Sequence, residues 1–265
     1  MDRDRRRKRG LHLTRRDQRI LEDLTVRRAE TLGWLHCRHF AGLSRKRALN
    51  RLGDLVAHGY LTRTRVVQPW DGEEVSAYTF GPRAKAAIVR RSLAGEHFLH
   101  RRWNPMLREQ SIPHQLAVNR VGDWLGADLI PEHLLEAKDR QAVRHRPDAT
   151  YQLAEFYDPV SSDDGLAYLE VDLGHYSRRR LVGKARTFAA AQGSARLLIV
   201  CPTVRRADTV RAWLDHDLPY LRHPRLTVLT LRQVRELHPP HLRPAPAREH
   251  FAIPDLPEPE TEPNS

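Results

Sequence analysis

Lysine, cysteine and long apolar runs are all scarce in this chain. It has five lysines, Lys8, Lys46, Lys85, Lys138 and Lys184, so its 45 Lys+Arg are overwhelmingly arginine. Two cysteines, Cys37 and Cys201, stand far apart in unlike segments, which argues against a disulfide framework and fits a reducing cytoplasm. No apolar stretch approaches the roughly 18 residues that a membrane span needs, and no amphipathic anchor is bordered by aromatics, so no membrane partner is expected. The start, MDRDRRRKRG, lacks the apolar core of a secretory signal and reads as a flexible basic arm over 1–12. Neither the G-x-x-x-x-G-K-S/T phosphate loop nor G-x-G-x-x-G occurs, so nucleotide-driven chemistry is not indicated. The paired histidines and tyrosine of an HUH-type relaxase are missing too, which leaves hydrolysis as the route for any nick.

What the chain does have is positive charge, and enough apolar residues for a core. Against 33 Asp+Glu the basic residues leave a formal net charge of +12, and 40% of the 265 residues are hydrophobic. That surplus favours a polyanion, because each neutralised phosphate releases condensed counterions. The length suggests about two domains.

The N-terminal part has the order of a winged helix-turn-helix, assigned to 13–82. Thr14 to Asp17 has the form of a capping box, followed by Ile20, Leu21 and Leu24 on one helical face. A short helix from about Thr31 carries Leu32, Leu35 and Phe40. Ser44 caps a third helix, in which Ala48, Leu49, Leu52, Leu55 and Val56 form the apolar stripe and Gly59 supplies the C-terminal stop. Strands over 60–67 and 75–80 then flank the turn-rich PWDGEE. In such a motif the helix starting SRKRALNRL enters the major groove of double-stranded DNA. Its outward residues are Arg45, Lys46, Arg47, Asn50 and Arg51. Arginine matches guanine bidentately and asparagine matches adenine, so this face suits base reading. Arg63 and Arg65 on the first wing strand suit phosphates or a minor groove.

After a helical linker over 83–113, a second domain spans 114–238. Helices are expected at 114–126, 177–192, 205–217 and 231–237, and strands at 146–153, 166–173, 196–201 and 226–229. The fold class is therefore α+β or α/β, a mixed sheet flanked by helices. The Pro- and Glu-rich stretch over 239–265 reads as disordered. Three acids stand at strand ends, Asp148, Glu170 and Asp172. Glu170 and Asp172 are two apart and so share one face. If the strands pair, Asp148 joins them, and three converging carboxylates suit Mg²⁺ or Mn²⁺. Lys184 falls one or two turns into the next helix, within reach of the same pocket. The HCRH run at 36–39 offers no second ligand pair and reads as a surface or DNA-facing cluster rather than a zinc site. Tyr176 lies near the acids, but its spacing assigns it no role.

RPDA around Asp148, LEVDLG around Glu170 and the helical Lys184 resemble the PD-(D/E)xK nuclease core. More narrowly, LTRRDQRILEDL, RLGDLVAHGYLTR, HQLAVNRV, RPDA, LEVDLG and the lysine helix make residues 13–237 similar to the replication-relaxation family of bacterial plasmids and other mobile elements. The resemblance implies a winged helix fused to a nuclease-like domain, with a role in plasmid replication or DNA relaxation. It implies Asp148 and Glu170 as metal ligands, Asp172 as an added ligand, Lys184 as a displaced catalytic lysine, and His114 as an auxiliary polar residue. Asp172 occupies the place where ordinary PD-(D/E)xK enzymes carry their lysine, and Gly174-His175 stands where the family has Gly followed by Thr or Ser. Two functions are therefore expected in competition. One is a Mg²⁺-dependent endonuclease or nickase. The other is a non-cleaving regulator or replication accessory that uses the nuclease-like fold for homodimerisation or for docking other replication proteins. A subunit that cuts only within a defence or transposition complex is a third possibility.

Overall fold

The first helix, α1 (Arg15–Arg27), starts at the expected capping box. The Thr14 amide donates to Asp17 Oδ2 at 2.7 Å, and the Asp17 amide returns a bond to Thr14 Oγ1 at 3.3 Å. Two otherwise orphaned donors are thereby satisfied, an arrangement worth about 1 kcal/mol. Ile20, Leu21 and Leu24 then enter the core together. The computed structural model describes residues 11–84, 86–87, 107–126, 130–131, 148–152, 166–191, 196–220 and 226–237. Most of the basic arm, most of the linker, the acidic loop at 158–165 and the tail from 239 lie outside them.

Strand β1 (Ala29–Thr31) follows, then α2 (Leu32–His39) and α3 (Arg45–Ala57), then β2 (Leu61–Val67) and β3 (Glu74–Phe80). The hairpin pairs Leu61 with Phe80 and Val67 with Glu74, and β1 adds to the far edge of β3, giving the antiparallel order β1-β3-β2. Gly59 ends α3 as the pattern requires. At φ 75° it takes a left-handed conformation, its amide reaches Val56 O at 3.0 Å, and the Tyr60 amide reaches Leu55 O at 2.9 Å. This is the paired bonding that closes a helix with glycine. Ala48, Leu52 and Leu55 pack with Phe40 and Phe80, whereas Leu49, expected in the same stripe, is 38% exposed beside Lys46 and Asn50. It sits on the flank of the helix, about a quarter turn from the buried line.

The C-terminal half is a second sheet with helices on both faces. In order come α4 (Ile112–Leu125), β4 (Ile130–Pro131), β5 (Ala149–Gln152), β6 (Leu166–Val171), α5 (Arg178–Ala191), β7 (Arg196–Cys201), α6 (Val204–Asp217), β8 (Leu226–Thr230) and α7 (Leu231–Leu237). The sheet order is β4-β5-β6-β7-β8, antiparallel as far as β6 and parallel from there on. Side-chain alternation sorts β6 between the two layers. Tyr168 faces α5 and α6 with Leu181, Phe188 and Val210, while Leu169 and Val171 face α4 and α7 with Val118, Val121 and Val234. The described residues thus form a mixed α and β protein with two small sheets and seven helices.

The two sheets are joined through α4. Ile112 and Leu116 pack on Ala29, Val66 and Ala77 of the first sheet, and the hairpin residue Trp70 meets Trp124 edge-on at 6.0 Å. Beneath this contact runs a buried polar network. Asn119 Nδ2 donates to Ala29 O at 2.7 Å and to Arg27 O at 2.9 Å, while Arg27 bonds both Glu30 and Asp123, the latter at 2.9 Å. Arg27 also lies over the Trp34 ring at 4.5 Å.

Candidate functional site

Two regions gather the residues that sequence reasoning selected. The first is the outward side of α3. Ser44 Oγ caps the helix through the Arg47 amide at 3.4 Å, presenting the first helical turn to solvent. Arg45, Lys46, Arg47 and Asn50 are all exposed there, and their side chains bond none of the described residues. Arg51 behaves differently. Its guanidinium turns inward to Asp17, with Nε at 3.0 Å from Oδ1 and Nη2 on Oδ2, and also donates to His12 O at 2.9 Å. A buried capping carboxylate needs a cation, so Arg51 clamps α3 to α1 and turns away from the outward face of the helix. Burial pushes the Asp17 carboxyl upward, but the bonds from Arg51 and Thr14 outweigh it and hold the group below its ordinary value. On β2, Arg63 and Arg65 are exposed, and Arg65 makes a solvent-exposed ion pair with Glu74 at 3.4 Å. The HCRH residues diverge: His36 Nε2 bonds Leu43 O at 2.8 Å, His39 pairs with Asp23 at 3.1 Å, and Cys37 is exposed.

The second region is the C-terminal end of β6, where the switch from antiparallel to parallel pairing leaves strand ends open to side chains. Ala149 pairs with Leu169, so Asp148 stands opposite Glu170. The Asp148 amide donates to Leu169 O at 3.0 Å, and its Oδ2 accepts the Val171 amide at 2.7 Å, extending the ladder by one side-chain rung. His114, in the first turn of α4, places Nε2 at 2.9 Å from Val171 O and 3.2 Å from Asp148 Oδ2. Glu170 is 1% exposed and receives the Lys184 ammonium from α5. The Asp148–His114 and Glu170–Lys184 pairs thus stand side by side at this strand end, whereas the expected convergence was of Asp148, Glu170 and Asp172 with Lys184.

Asp172 departs from that set. Its Oδ2 accepts Arg206 Nε at 2.8 Å and Nη2 at 2.7 Å, and its Oδ1 accepts the Gly174 and Tyr176 amides at 2.8 and 3.3 Å. Both oxygens are used in holding the β6–α5 loop to the start of α6. Arg206 was missed in the sequence. The available signal was general: a buried carboxylate at a strand end requires a partner, and the arginines after Thr203 open the neighbouring helix. Tyr176 was set aside in the sequence, yet it closes the site. Its ring centre lies 4.8 Å from Lys184 Nζ and 4.3 Å from the Arg180 guanidinium carbon. Burial, then the charges of Asp148 and Glu170, raise the phenol far above its ordinary value, so it keeps its proton.

These contacts bear directly on a metal. Asp148 and Glu170 offer the hard oxygens that Mg²⁺ prefers, but Glu170 already binds an ammonium and Asp172 a guanidinium. No three His, Cys, Asp or Glu side chains among the described residues are placed to hold a metal ion. The residues as arranged do not fit the implied divalent cation.

His114 gives this site a pH signature. Burial lowers its basicity, but the bond and charge of Asp148 and the Val171 carbonyl outweigh it, so its folded value lies above the ordinary 6.5. A group raised in this way stabilises the fold fully below pH 6.5 and loses that contribution as pH rises through the folded value. Chemical denaturation across this range should show stability falling with rising pH, and His114→Gln should flatten that slope. An unchanged slope in the variant would refute the assignment.

Among the described residues no helix is long and apolar enough to cross a membrane. Residues 21–196, well over half the chain, match the model of a family described as Replication-relaxation. Comparison with curated proteins and with solved structures gives no match.

Proposed function

The chain belongs to the replication-relaxation family, and from that premise we propose that it acts in the replication of mobile elements as a DNA-binding protein. In this reading residues 13–82 form a winged helix-turn-helix, α3 enters the major groove of double-stranded DNA, and the β2–β3 hairpin is the wing. The second half is a PD-(D/E)xK-like module that α3 brings to its site. The observation that carries the reading is the α3 face. Arg45, Lys46, Arg47 and Asn50 point outward from a capped helix without internal partners among the described residues, while Arg51 is spent on holding the helix in place. Flexible cations that the fold does not use are available to phosphates and base edges.

Anisotropy titrations of the full chain against a selected duplex test this. Arg47→Ala should weaken binding by about 1–3 kcal/mol, and each lost phosphate contact should reduce the slope of log K against log salt by about 0.9. Arg51→Lys, by contrast, should lower stability more than affinity. Unchanged affinity after Arg45→Ala, Lys46→Ala and Arg47→Ala together would show that α3 faces a protein instead.

A second reading, cleavage of DNA with Mg²⁺ or Mn²⁺, draws on the meeting of Asp148, Glu170 and Lys184 at one strand end. The pairing of those acids with protein cations favours the non-cleaving form, in which the module serves as a dimerisation or docking platform.

A further inference from the structure

Each acid at the β6 edge has a basic partner supplied by a different helix. Asp148 has His114 from α4, Glu170 has Lys184 from α5, and Asp172 has Arg206 from α6. Three helices thus pin one strand end through charge pairs, and two of its acids, Glu170 and Asp172, are buried. Lys184 is the partner that matters most for a metal. Its ammonium occupies Glu170, and the Tyr176 ring lies against that ammonium while also carrying Arg180. A divalent ion entering between Asp148 and Glu170 would have to displace an ammonium that is already desolvated and bonded. It would then share the site with Lys184 and Arg180, both of like sign.

We infer that Lys184 is the resident cation of this site: the native protein takes no divalent ion there, and loss of the ammonium uncovers a latent metal site formed by Asp148 and Glu170. The inference concerns the C-terminal module alone and holds whether or not α3 binds DNA. It assigns the acids a constructive role, joining α4, α5 and α6 to the sheet without help from a metal.

The test is Mn²⁺ binding to the full chain, stripped of metal beforehand. It is read as loss of the free-Mn²⁺ electron paramagnetic signal and as paramagnetic broadening of the His114 ring resonances. Wild type should show neither a site that depends on Glu170 nor selective broadening of His114, so wild type, Asp148→Asn and Glu170→Gln should titrate alike. Lys184→Met, checked for folding by circular dichroism, should gain one site about tenfold tighter than any in wild type, and adding Glu170→Gln should remove it. Wild-type binding that Asp148→Asn or Glu170→Gln weakens about tenfold, or selective broadening of His114 in wild type, would overturn the inference. So would a folded Lys184→Met that gains no site. If Lys184→Met does not fold, the wild-type titration and the His114 signal still decide whether a divalent ion enters.

Discussion

Replacing Arg27 with methionine should destabilise the folded chain by about 3–5 kcal/mol, the cost of leaving a buried charge without its partner. The methionine keeps most of the stem that packs on Trp34, so the loss reports the guanidinium rather than the packing. That guanidinium is shared by Glu30, whose side chain is 2% exposed, and by Asp123 of α4, 2.9 Å away. Burial pushes the Glu30 carboxyl upward even with Arg27 present, and without the arginine it must take up a proton or leave the interior. The same network carries Asn119, whose amide bonds Ala29 O and Arg27 O, so the weakening falls on the joint between the two sheets. Urea unfolding with separate probes for the two halves checks this. The transition should move to lower denaturant and the halves should begin to unfold apart. Adding Glu30→Gln should recover part of the loss, because a neutral amide tolerates the site better. A shift below about 1 kcal/mol, typical of an exposed pair, would mean that the network does not hold the halves together.

The second large effect is expected at Arg206. Its side chain is 18% exposed and pairs with an Asp172 side chain that is fully buried, so Arg206→Met should again cost about 3 kcal/mol or more. Here the loss should fall on the C-terminal half alone, because Arg206 ties the β6–α5 loop to α6 and touches nothing in the first sheet. Asp172→Asn combined with Arg206→Met should restore part of the stability, since an asparagine oxygen still accepts the Gly174 and Tyr176 amides without burying a charge. If the double variant is no better than Arg206→Met, Asp172 is not held there as an uncompensated charge. If Arg206→Met is silent, Asp172 is available to a ligand after all, and its place among the sequence-predicted metal ligands stands.

Local pattern made much of this protein readable in advance. The capping box at Thr14, the Ser44 cap, the glycine stop at Gly59 and the order of strands and helices all depend on neighbours within a few residues, and the expected elements keep their bounds to within one or two residues except β5, which begins at Ala149 rather than 146. The short strands β1 and β4 were not legible, because two or three residues cannot display a period and both exist only through pairing with β3 and β5. Leu49, expected in the apolar stripe, is exposed, and Arg51 turns inward to Asp17, for a related reason. Helical spacing ranks residues by angle, but which side of the stripe meets a neighbour depends on where α1 and the hairpin lie.

The family to which the chain belongs, the helix that carries Arg45, Lys46, Arg47 and Asn50, and the nearness of Asp148, Glu170 and Lys184 were determined by the sequence itself, through motif order and alternation along strands. Tertiary structure decided what those residues do with their charge. Arg206 reaches Asp172 across 34 residues of chain, Arg51 reaches Asp17 across the same separation, and His114 reaches Asp148 from the other side of the sheet. A buried carboxylate takes whichever cation the packed helices bring nearest, and that choice is made in space, after the strands have paired and the helices have docked.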